Sequence, residues 1–181
     1  MKKLTEKKLK SELAFQGSFL KVLRDEVELP SGKTGLREYI HHPGAAMVIP
    51  ITDEGQLVMI SQFRYPLGKE FIEFPAGKID SGEEAIQTAR RELIEETGYA
   101  AKDMRHLTSI HPVIGYSNEV IEIYVANRLS LSKQQLDEEE FVDVFEISLV
   151  EATKLMRQGK ITDVKTMIGL FWYQQILQSG W

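Results

Sequence analysis

Glu92, Glu95 and Glu96 bring three carboxylates close together within residues 91–98, RELIEETG. Spacings of three and four residues place these side chains on one face of a helix, where like charges repel by roughly 0.2–0.5 kcal/mol per pair. A helix that keeps such a cluster is expected to hold cations, and carboxylate oxygens suit Mg²⁺ or Mn²⁺. For an acidic run of this kind taken alone, the ordinary alternative is a solvent-exposed helix face.

The flanking residues predict a helix that packs on one side and presents these carboxylates on another. Ser81 and Glu84 have the spacing of a capping box, and Gly98 is placed to end the helix. Between them, small and apolar residues form a stripe beside the acidic one: Ala85, Ile86, Ala89 and Leu93. Residues 70–74 alternate as a strand does, and residues 75–77 predict a loop. The predicted unit is therefore a strand, a glycine-containing loop and an acidic helix.

Residues 77–99 resemble the Nudix box, Gly-x5-Glu-x7-Arg-Glu-U-x-Glu-Glu-x-Gly-U, in which U is a bulky apolar residue. Tyr99 stands where an aliphatic residue is usual. The resemblance implies hydrolysis of a nucleoside diphosphate linked to another group, with divalent cations, Mg²⁺ or Mn²⁺, held by the box. It also implies an α+β fold, an α/β/α sandwich with a mixed β-sheet, preceded in this chain by N-terminal antiparallel strands.

The resemblance assigns a role to the polar residues of the box. Glu92, Glu95 and Glu96 are predicted metal ligands, and Glu95 is also a candidate catalytic group. The backbone carbonyl of Ala76, directly before the box glycine, is a further predicted ligand. Arg91 lies four residues before Glu95 and is expected to serve catalysis by orienting the carboxylates.

Gly77 and Glu83 have structural interpretations of their own. Gly77 is expected to allow a close backbone approach or a positive φ angle. Glu83 lies near the start of the predicted helix, where the helix dipole favours an acidic residue. A role for Glu83 in the site and a role at the helix end are equally favoured.

The general base is predicted from the same resemblance. In relatives that hydrolyse ADP-ribose, a glutamate on a loop after the box can supply it, which matches the acidic run at residues 137–140. By register with the following strand, Glu139 is the predicted base, with a solvated acidic loop as the alternative. Glu119 is a second candidate for this role and for a contact with the substrate.

Over nearly its whole length, the chain resembles bacterial ADP-ribose pyrophosphatases. The matching stretches are residues 27–33, Arg37-Glu38, His42-Pro-Gly44, Gln62-Phe-Arg64 and Glu73-Phe-Pro-Ala-Gly77. The resemblance implies that Arg64 contacts the substrate, with Arg37 and Glu73 as further candidates, although an ion pair is the default role of an isolated arginine. It also implies a homodimer in which the subunits exchange their N-terminal strands.

The loop after the box departs from that subfamily. ADP-ribose enzymes usually carry Ser-Pro-Gly there, whereas residues 111–115 of this chain read HPVIG. Hydrolysis of GDP-mannose or of another nucleoside diphosphate sugar therefore stays open. A non-catalytic ADP-ribose sensor is a further alternative, disfavoured because every carboxylate of the box is present.

Composition sets the outer bounds. The chain has 181 residues, which we divide into an N-terminal, dimer-forming strand region (1–43) and a hydrolase domain (44–181). A net charge of −5 argues against a broad nucleic-acid surface, and no apolar stretch approaches the length of a membrane span. The absence of cysteine excludes disulfides and thiol nucleophiles and fits a cytoplasmic location. The expected partner is a small nucleotide sugar.

The remaining elements follow from local patterns. Residues 1–13 predict an amphipathic helix or a frayed tail. Two hairpins are expected, one from strands 19–29 and 36–42 and one from strands 45–51 and 57–63. Later strands are expected at residues 107–110, 119–126 and 141–147, followed by helices capped by Ser148 and Thr162.

Overall fold

The computed structural model describes residues 4–136 and 141–180. The chain forms two compact units. Unit 1 comprises Met1–Pro43 and Val113–Glu119, and unit 2 comprises Gly44–Pro112 and Val120–Trp181.

Unit 1 contains a three-stranded antiparallel sheet formed by β1 (Lys7–Gln16), β2 (Lys21–Glu28) and β3 (Thr34–Ile40). The predicted hairpin of β2 and β3 is confirmed. The prediction of a helix or frayed tail at the N-terminus is wrong, because residues 7–16 pair with β2.

Pairing with β2 explains why this lysine-rich segment is a strand. A short isolated helix is marginal in water, whereas a strand partner satisfies the backbone groups along one edge. Ser11 Oγ donates to Asp25 Oδ1 at 2.5 Å, and Asp25 is 6% exposed. The side chains of β1 nevertheless all remain exposed.

Within the part of unit 2 that the structure describes, seven strands form two sheets. Their bounds are β4 Ala45–Pro50, β5 Leu57–Arg64, β6 Lys69–Glu73, β7 Ala76–Lys78, β8 Tyr99–Ile110, β9 Ile121–Leu131 and β10 Val142–Ile147. A mixed four-stranded sheet has the order β7-β4-β9-β8, with β4 and β9 parallel. An antiparallel three-stranded sheet has the order β10-β5-β6.

Two sequence predictions about these strands are wrong. Strands β4 and β5 do not form a hairpin ladder: after a single bridge between Ile51 and Leu57 they enter different sheets. The run of β4 is buried at every position, which suits a central strand covered on both faces. The predicted loop at residues 75–77 is in part strand, since Ala76 and Gly77 pair with Met47 and Ala46.

Among the described residues, three α-helices accompany the sheets: α1 Ala85–Thr97, α2 Leu149–Arg157 and α3 Val164–Ser179. The predicted cap at Ser148 is confirmed. The predicted cap at Thr162 is wrong by one residue, because the carboxylate of Asp163 accepts from Thr166 N at 3.0 Å. None of the described helices is long and apolar enough to cross a membrane.

Side chains from the two faces of β4 enter two separate cores. Ala46 and Val48 pack with Ala89 and Leu93 of α1. On the other face, a larger core joins the sheets to α2 and α3: Met47, Ile49, Leu57, Met59, Phe74, Ile123, Val125, Ala152, Leu170 and Tyr173. The layers are thus helix, sheet and helix, and α1 is held firmly against the strand that pairs with the box glycine.

Candidate active site

Helix α1 carries the acidic cluster. Its C-terminal end agrees with the prediction, and its N-terminal start does not. Gly98 adopts φ 71° and donates its N–H to Ile94 O at 2.9 Å, so the predicted C-terminal stop is confirmed. The predicted cap at Ser81 is wrong. The helix starts at Ala85, and Glu84 N donates to Gln87 Oε1 at 2.9 Å.

The residues before α1 form a tight turn, which explains the later start. Glu83 N donates to Asp80 O at 3.0 Å, and Gly82 adopts φ 84°. A glycine accepts this left-handed conformation at little cost. Ser81 therefore lies within the turn.

Gly77 provides the space into which Glu92 fits. A Cβ atom at position 77 would overlap Oε1 and Cδ of Glu92 and would lie 2.6 Å from its Oε2. Only a residue without a side chain lets the carboxylate lie against strand β7. The expectation of a close backbone approach at Gly77 is confirmed.

Glu96 reaches the same strand from the last turn of α1. Its Oε2 accepts the N–H of Ala76 at 2.8 Å, and the residue is 2% exposed. A buried carboxylate is costly unless it is hydrogen-bonded or paired with a cation. The residue predicted to offer its carbonyl to a metal is thus in direct contact with a predicted ligand.

Arg91 is the centre of the acidic cluster. One terminal nitrogen donates to Glu92 Oε1 at 2.7 Å and to Glu95 Oε2 at 2.8 Å, and the other donates to Lys78 O at 3.1 Å. The hydrogen bond to Glu83, followed by those to Glu95 and Glu92, raises the pKa of Arg91 above its usual value. Arg91 therefore stays charged and fixes the orientation of two predicted ligands.

Glu83 in turn holds Arg91. It accepts Arg91 Nε at 3.2 Å, the second terminal nitrogen at 3.1 Å and Thr88 Oγ1 at 2.7 Å. The bond from Arg91, helped by those from Thr88 and from the backbone of Asp80, lowers the pKa of Glu83 to about 2. Of the two interpretations left open for Glu83, the structure shows contacts that organise the site.

The carboxylates suit a divalent cation in their chemistry. Among the described residues, no three His, Asp or Glu side chains are arranged to hold a metal ion by themselves. Mg²⁺ does not require such an arrangement, because it keeps several waters and binds through one or two carboxylates together with substrate phosphates. Glu92, which fits against Gly77, and the buried Glu96 beside Ala76 provide carboxylate oxygens of the required type.

A second network surrounds Glu73, which ends strand β6. Arg64 donates to both oxygens of Glu73, from Nε and from a terminal nitrogen, each at 2.8 Å. Lys165 of α3 donates to Oε2 of the same carboxylate and to Asp163 Oδ2 at 3.0 Å. Although burial raises the pKa of Glu73, the bonds from Arg64 and Lys165 bring it below its usual value. Glu73 is therefore ionised.

Residues 73–77, which we call the connecting segment, link the two networks. Phe74 N donates to Thr166 Oγ1 at 3.0 Å, and Pro75 O accepts Val48 N at 3.0 Å. The ring of Phe74 is fully buried and packs closely against Gly169 of α3. Glu73 is bound by Arg64 and Lys165, and Ala76 N–H is bound by Glu96. Contacts therefore fix each of residues 73–76.

Of three further predicted residues, two belong to unit 1 and one is not described. In unit 1, Arg37 donates from Nε to Glu6 Oε2 at 2.9 Å. Also in unit 1, Glu119 Oε1 lies 3.9 Å from His42 Nε2. Glu139 lies outside the described residues. The proposed contacts of these residues with substrate or water stay predictions.

The structure adds four residues to the candidate site: Thr88, Asp163, Lys165 and Thr166. The sequence carried only a weak signal for them. Asp163 and Thr166 have the spacing of a helix cap, but a contact between Lys165 and Glu73, 92 residues earlier, is not a local pattern.

The fold and these networks define a class of protein. It is an α+β enzyme scaffold in which a carboxylate cluster lies beside the strand that contains Gly77, and a partly exposed arginine lies next to that cluster. Residues 41–166 match the family model of the NUDIX domain, and residues 6–40 match that of the nucleoside diphosphate sugar hydrolase N-terminal domain. The chain belongs to the Nudix hydrolase family.

Comparison with individual proteins agrees with this assignment. The chain is 42% identical to an ADP-ribose pyrophosphatase of Bacillus subtilis (strain 168), covering 96% of this chain and 95% of the relative. It is 45% identical to the methanol dehydrogenase activator of Bacillus methanolicus, covering 93% and 92%. The crystal structure of an ADP compounds hydrolase superposes with a TM-score of 0.87 over the full length of both chains at 24% identity, a likeness that shows the fold.

Proposed function

We propose that the protein hydrolyses the pyrophosphate bond of a nucleoside diphosphate sugar, with ADP-ribose as the preferred substrate and AMP and ribose 5-phosphate as products. The observation that carries the proposal is the pair of networks joined by the connecting segment. One presents carboxylates around Gly77, and the other presents the guanidinium of Arg64. Metal-assisted cleavage of a diphosphate needs both kinds of group.

Mg²⁺, or Mn²⁺ in its place, is the proposed cofactor, held by Glu92 and Glu96 with Glu95 and the carbonyl of Ala76. A bound ion of this kind supplies charge stabilisation on the phosphate oxygens and lowers the pKa of a water molecule. Arg91 fixes the orientation of the carboxylates, because its bonds to Glu92 and Glu95 are charge-assisted.

Arg64 is the proposed contact to the substrate in unit 2. Its side chain is 41% exposed, while two of its N–H groups bind Glu73 and set the plane of the guanidinium. Its remaining donors suit phosphate oxygens, which a planar guanidinium binds well. The hydrogen bond to Glu73 is the main cause of the raised pKa of Arg64, and the charge of Glu96 adds to it, so the two networks influence each other electrostatically. Glu73 acts in this proposal through Arg64.

The general base proposed for the attacking water is Glu139. Arg37 and Glu119 are further proposed contacts to the substrate, and Glu119 is the second candidate base. These roles are supported by the subfamily resemblance. Replacing Glu139 with Gln should lower kcat and leave KM nearly unchanged if Glu139 accepts the proton of water. An unaltered kcat would exclude Glu139 as the general base and leave Glu119 as the next candidate.

A substrate panel tests the proposed function. The purified chain with Mg²⁺ is assayed on ADP-ribose, GDP-mannose, NADH, diadenosine polyphosphates and 8-oxo-dGTP at matched concentrations. We expect the highest kcat/KM with ADP-ribose. A preference for GDP-mannose would replace the substrate and keep the reaction, whereas binding of ADP-ribose in calorimetry without product would show a sensor.

We also propose that the protein acts as a homodimer in the cytoplasm. The dimer is supported by the apolar side chains that the sheet of unit 1 leaves exposed, among them Leu13 at 52% and Phe15 at 54%. Light scattering on the wild type and on Leu13→Asp should show a dimer and a shift towards monomer. The cytoplasmic location is supported by the absence of cysteine.

A further inference from the structure

Lys165 is a largely buried cation that lies outside the Nudix box. Its side chain is 13% exposed, and its ammonium binds two carboxylates, those of Glu73 and Asp163. Burying an ammonium is costly unless it is paired, so its position at the start of α3 calls for a role.

The charge balance around Glu73 indicates that role. Arg64 and Glu73 alone would form a neutral bidentate pair, and a neutral pair attracts an anionic diphosphate weakly. Lys165 adds a second cation to Glu73 Oε2, the same oxygen that accepts from Arg64 at 2.8 Å. The three groups together therefore keep a positive charge.

Asp163 does not simply cancel the charge of Lys165. Its Oδ2 also accepts the N–H of Thr166 at 3.0 Å and caps α3. The amino end of a helix carries a partial positive charge that stabilises a carboxylate there. Asp163 is thus balanced in part by the helix.

We propose that Lys165 is a positioning residue for substrate binding: by sharing Glu73, it keeps Arg64 oriented and offsets the charge of that carboxylate, so that the positive charge of Arg64 remains for the diphosphate. The inference rests on the proposed function, in which Arg64 contacts the substrate. Lys165 itself acts through Glu73 and Arg64.

A double-mutant cycle tests this inference. Lys165→Met removes the ammonium and retains most of the aliphatic side chain. With ADP-ribose and Mg²⁺ we expect KM to rise about tenfold and kcat to change less than about twofold, because an interaction that serves binding is lost. Lys165→Arg should restore KM to within about threefold of the wild type, since the charge returns.

The same substitution in an Arg64→Met background should raise KM by less than about twofold, because residues that act through one another are not additive. Lys154→Met is the matched control. Lys154 lies on α2, its side chain is 60% exposed, and it pairs with Glu151, so its loss should leave KM unchanged. If Lys165→Met does not fold, Lys165→Gln carries the same expectation, because glutamine keeps a donor and lacks the charge.

Two results would overturn the inference alone while the wild type hydrolyses ADP-ribose. One is an equal rise in KM in both backgrounds, and the other is a fall in kcat with KM unchanged. A wild-type chain that neither binds ADP-ribose in chelator nor hydrolyses any sugar nucleotide would overturn the proposed function, and the inference with it.

Discussion

Two arginines organise the two networks of unit 2, and the charge balance around them differs. Arg91 is shared among three carboxylates, those of Glu83, Glu92 and Glu95. Arg64 instead shares a single carboxylate with a second cation. The first network has an excess of negative charge, which suits divalent cations. In the second, Arg64 and Lys165 offset Glu73 and Asp163, and the amino end of α3 adds a partial positive charge, which suits a diphosphate.

The connecting segment is what makes the two networks one candidate site. Glu73 stands at one end of it, and Gly77, against Glu92, stands at the other. Ala76 between them is bound by Glu96, and Phe74 by Thr166. A displacement of this short stretch would therefore disturb the metal side and the substrate side together.

The largest effect is expected in the acidic network. Glu96→Gln keeps the shape of the side chain and removes the charge proposed to hold the cation. We expect kcat to fall about a hundredfold or more, because even outer contacts of a metal site cost ten- to a hundredfold. Steady-state kinetics with ADP-ribose and Mg²⁺ measure this, with Glu151→Gln as control, because the Glu151 side chain on α2 is 46% exposed. A kcat near that of the wild type would show that the Glu96 carboxylate does not hold the cation.

The close approach at Gly77 gives the next prediction. Gly77→Ala adds a methyl group where the carboxylate of Glu92 lies, so this carboxylate must move away from strand β7. We expect a lower melting temperature and a loss of kcat. Glu92→Asp shortens the side chain and should recover part of the melting temperature in the double variant. A kcat of Gly77→Ala equal to that of the wild type would contradict a role for the Glu92 carboxylate in this position.

The basic network should respond in a different kinetic constant. Arg64→Met removes the guanidinium, and we expect KM for ADP-ribose to rise at least about tenfold with a smaller change in kcat. The comparison between the networks predicts that Glu96→Gln acts on kcat and Arg64→Met on KM. The same change in kcat for both variants would show that the two arginine networks do not have separate roles in catalysis and in substrate binding.

The smallest effect concerns stability at low pH. The pKa of Glu83 is about 2 in the folded chain against an ordinary value of 4.5, so its ionised form contributes stability above pH 4.5. That contribution is lost as the pH falls from 4.5 towards 2. Thermal unfolding of the wild type and Glu83→Gln should show a gap in melting temperature that closes over this range. A gap independent of pH would mean that Arg91 does not set the charge of Glu83.

Much of the acidic network could be predicted from the sequence, because its members lie within one helix and its approach. The spacing of Glu92, Glu95 and Glu96 and the stop at Gly98 are local patterns. The start of α1 could not be predicted correctly, since Ser81 has the spacing of a cap and is instead part of a turn. The hydrogen bond that closes the turn at Asp80 cannot be seen in a periodic pattern.

The basic network illustrates what local patterns cannot supply. Arg64 and Glu73 were predicted from a family resemblance, but the pairing of Glu73 with Lys165 joins residues 92 apart. The strand β1 was missed for a related reason: its lysine-rich sequence resembles a helix, and its partner β2 decides the outcome. Tertiary pairing of this kind overrides local propensity.

The Mg²⁺ dependence of ADP-ribose hydrolysis by the wild-type chain tests most directly whether the acidic network of unit 2 binds the catalytic cation. The protein is first treated with chelator, and the formation of AMP and ribose 5-phosphate is then followed as Mg²⁺ is added back. We predict no turnover in chelator and full recovery with Mg²⁺. Turnover at the same rate in both conditions would contradict the assignment of the Glu92 and Glu96 carboxylates to cation binding.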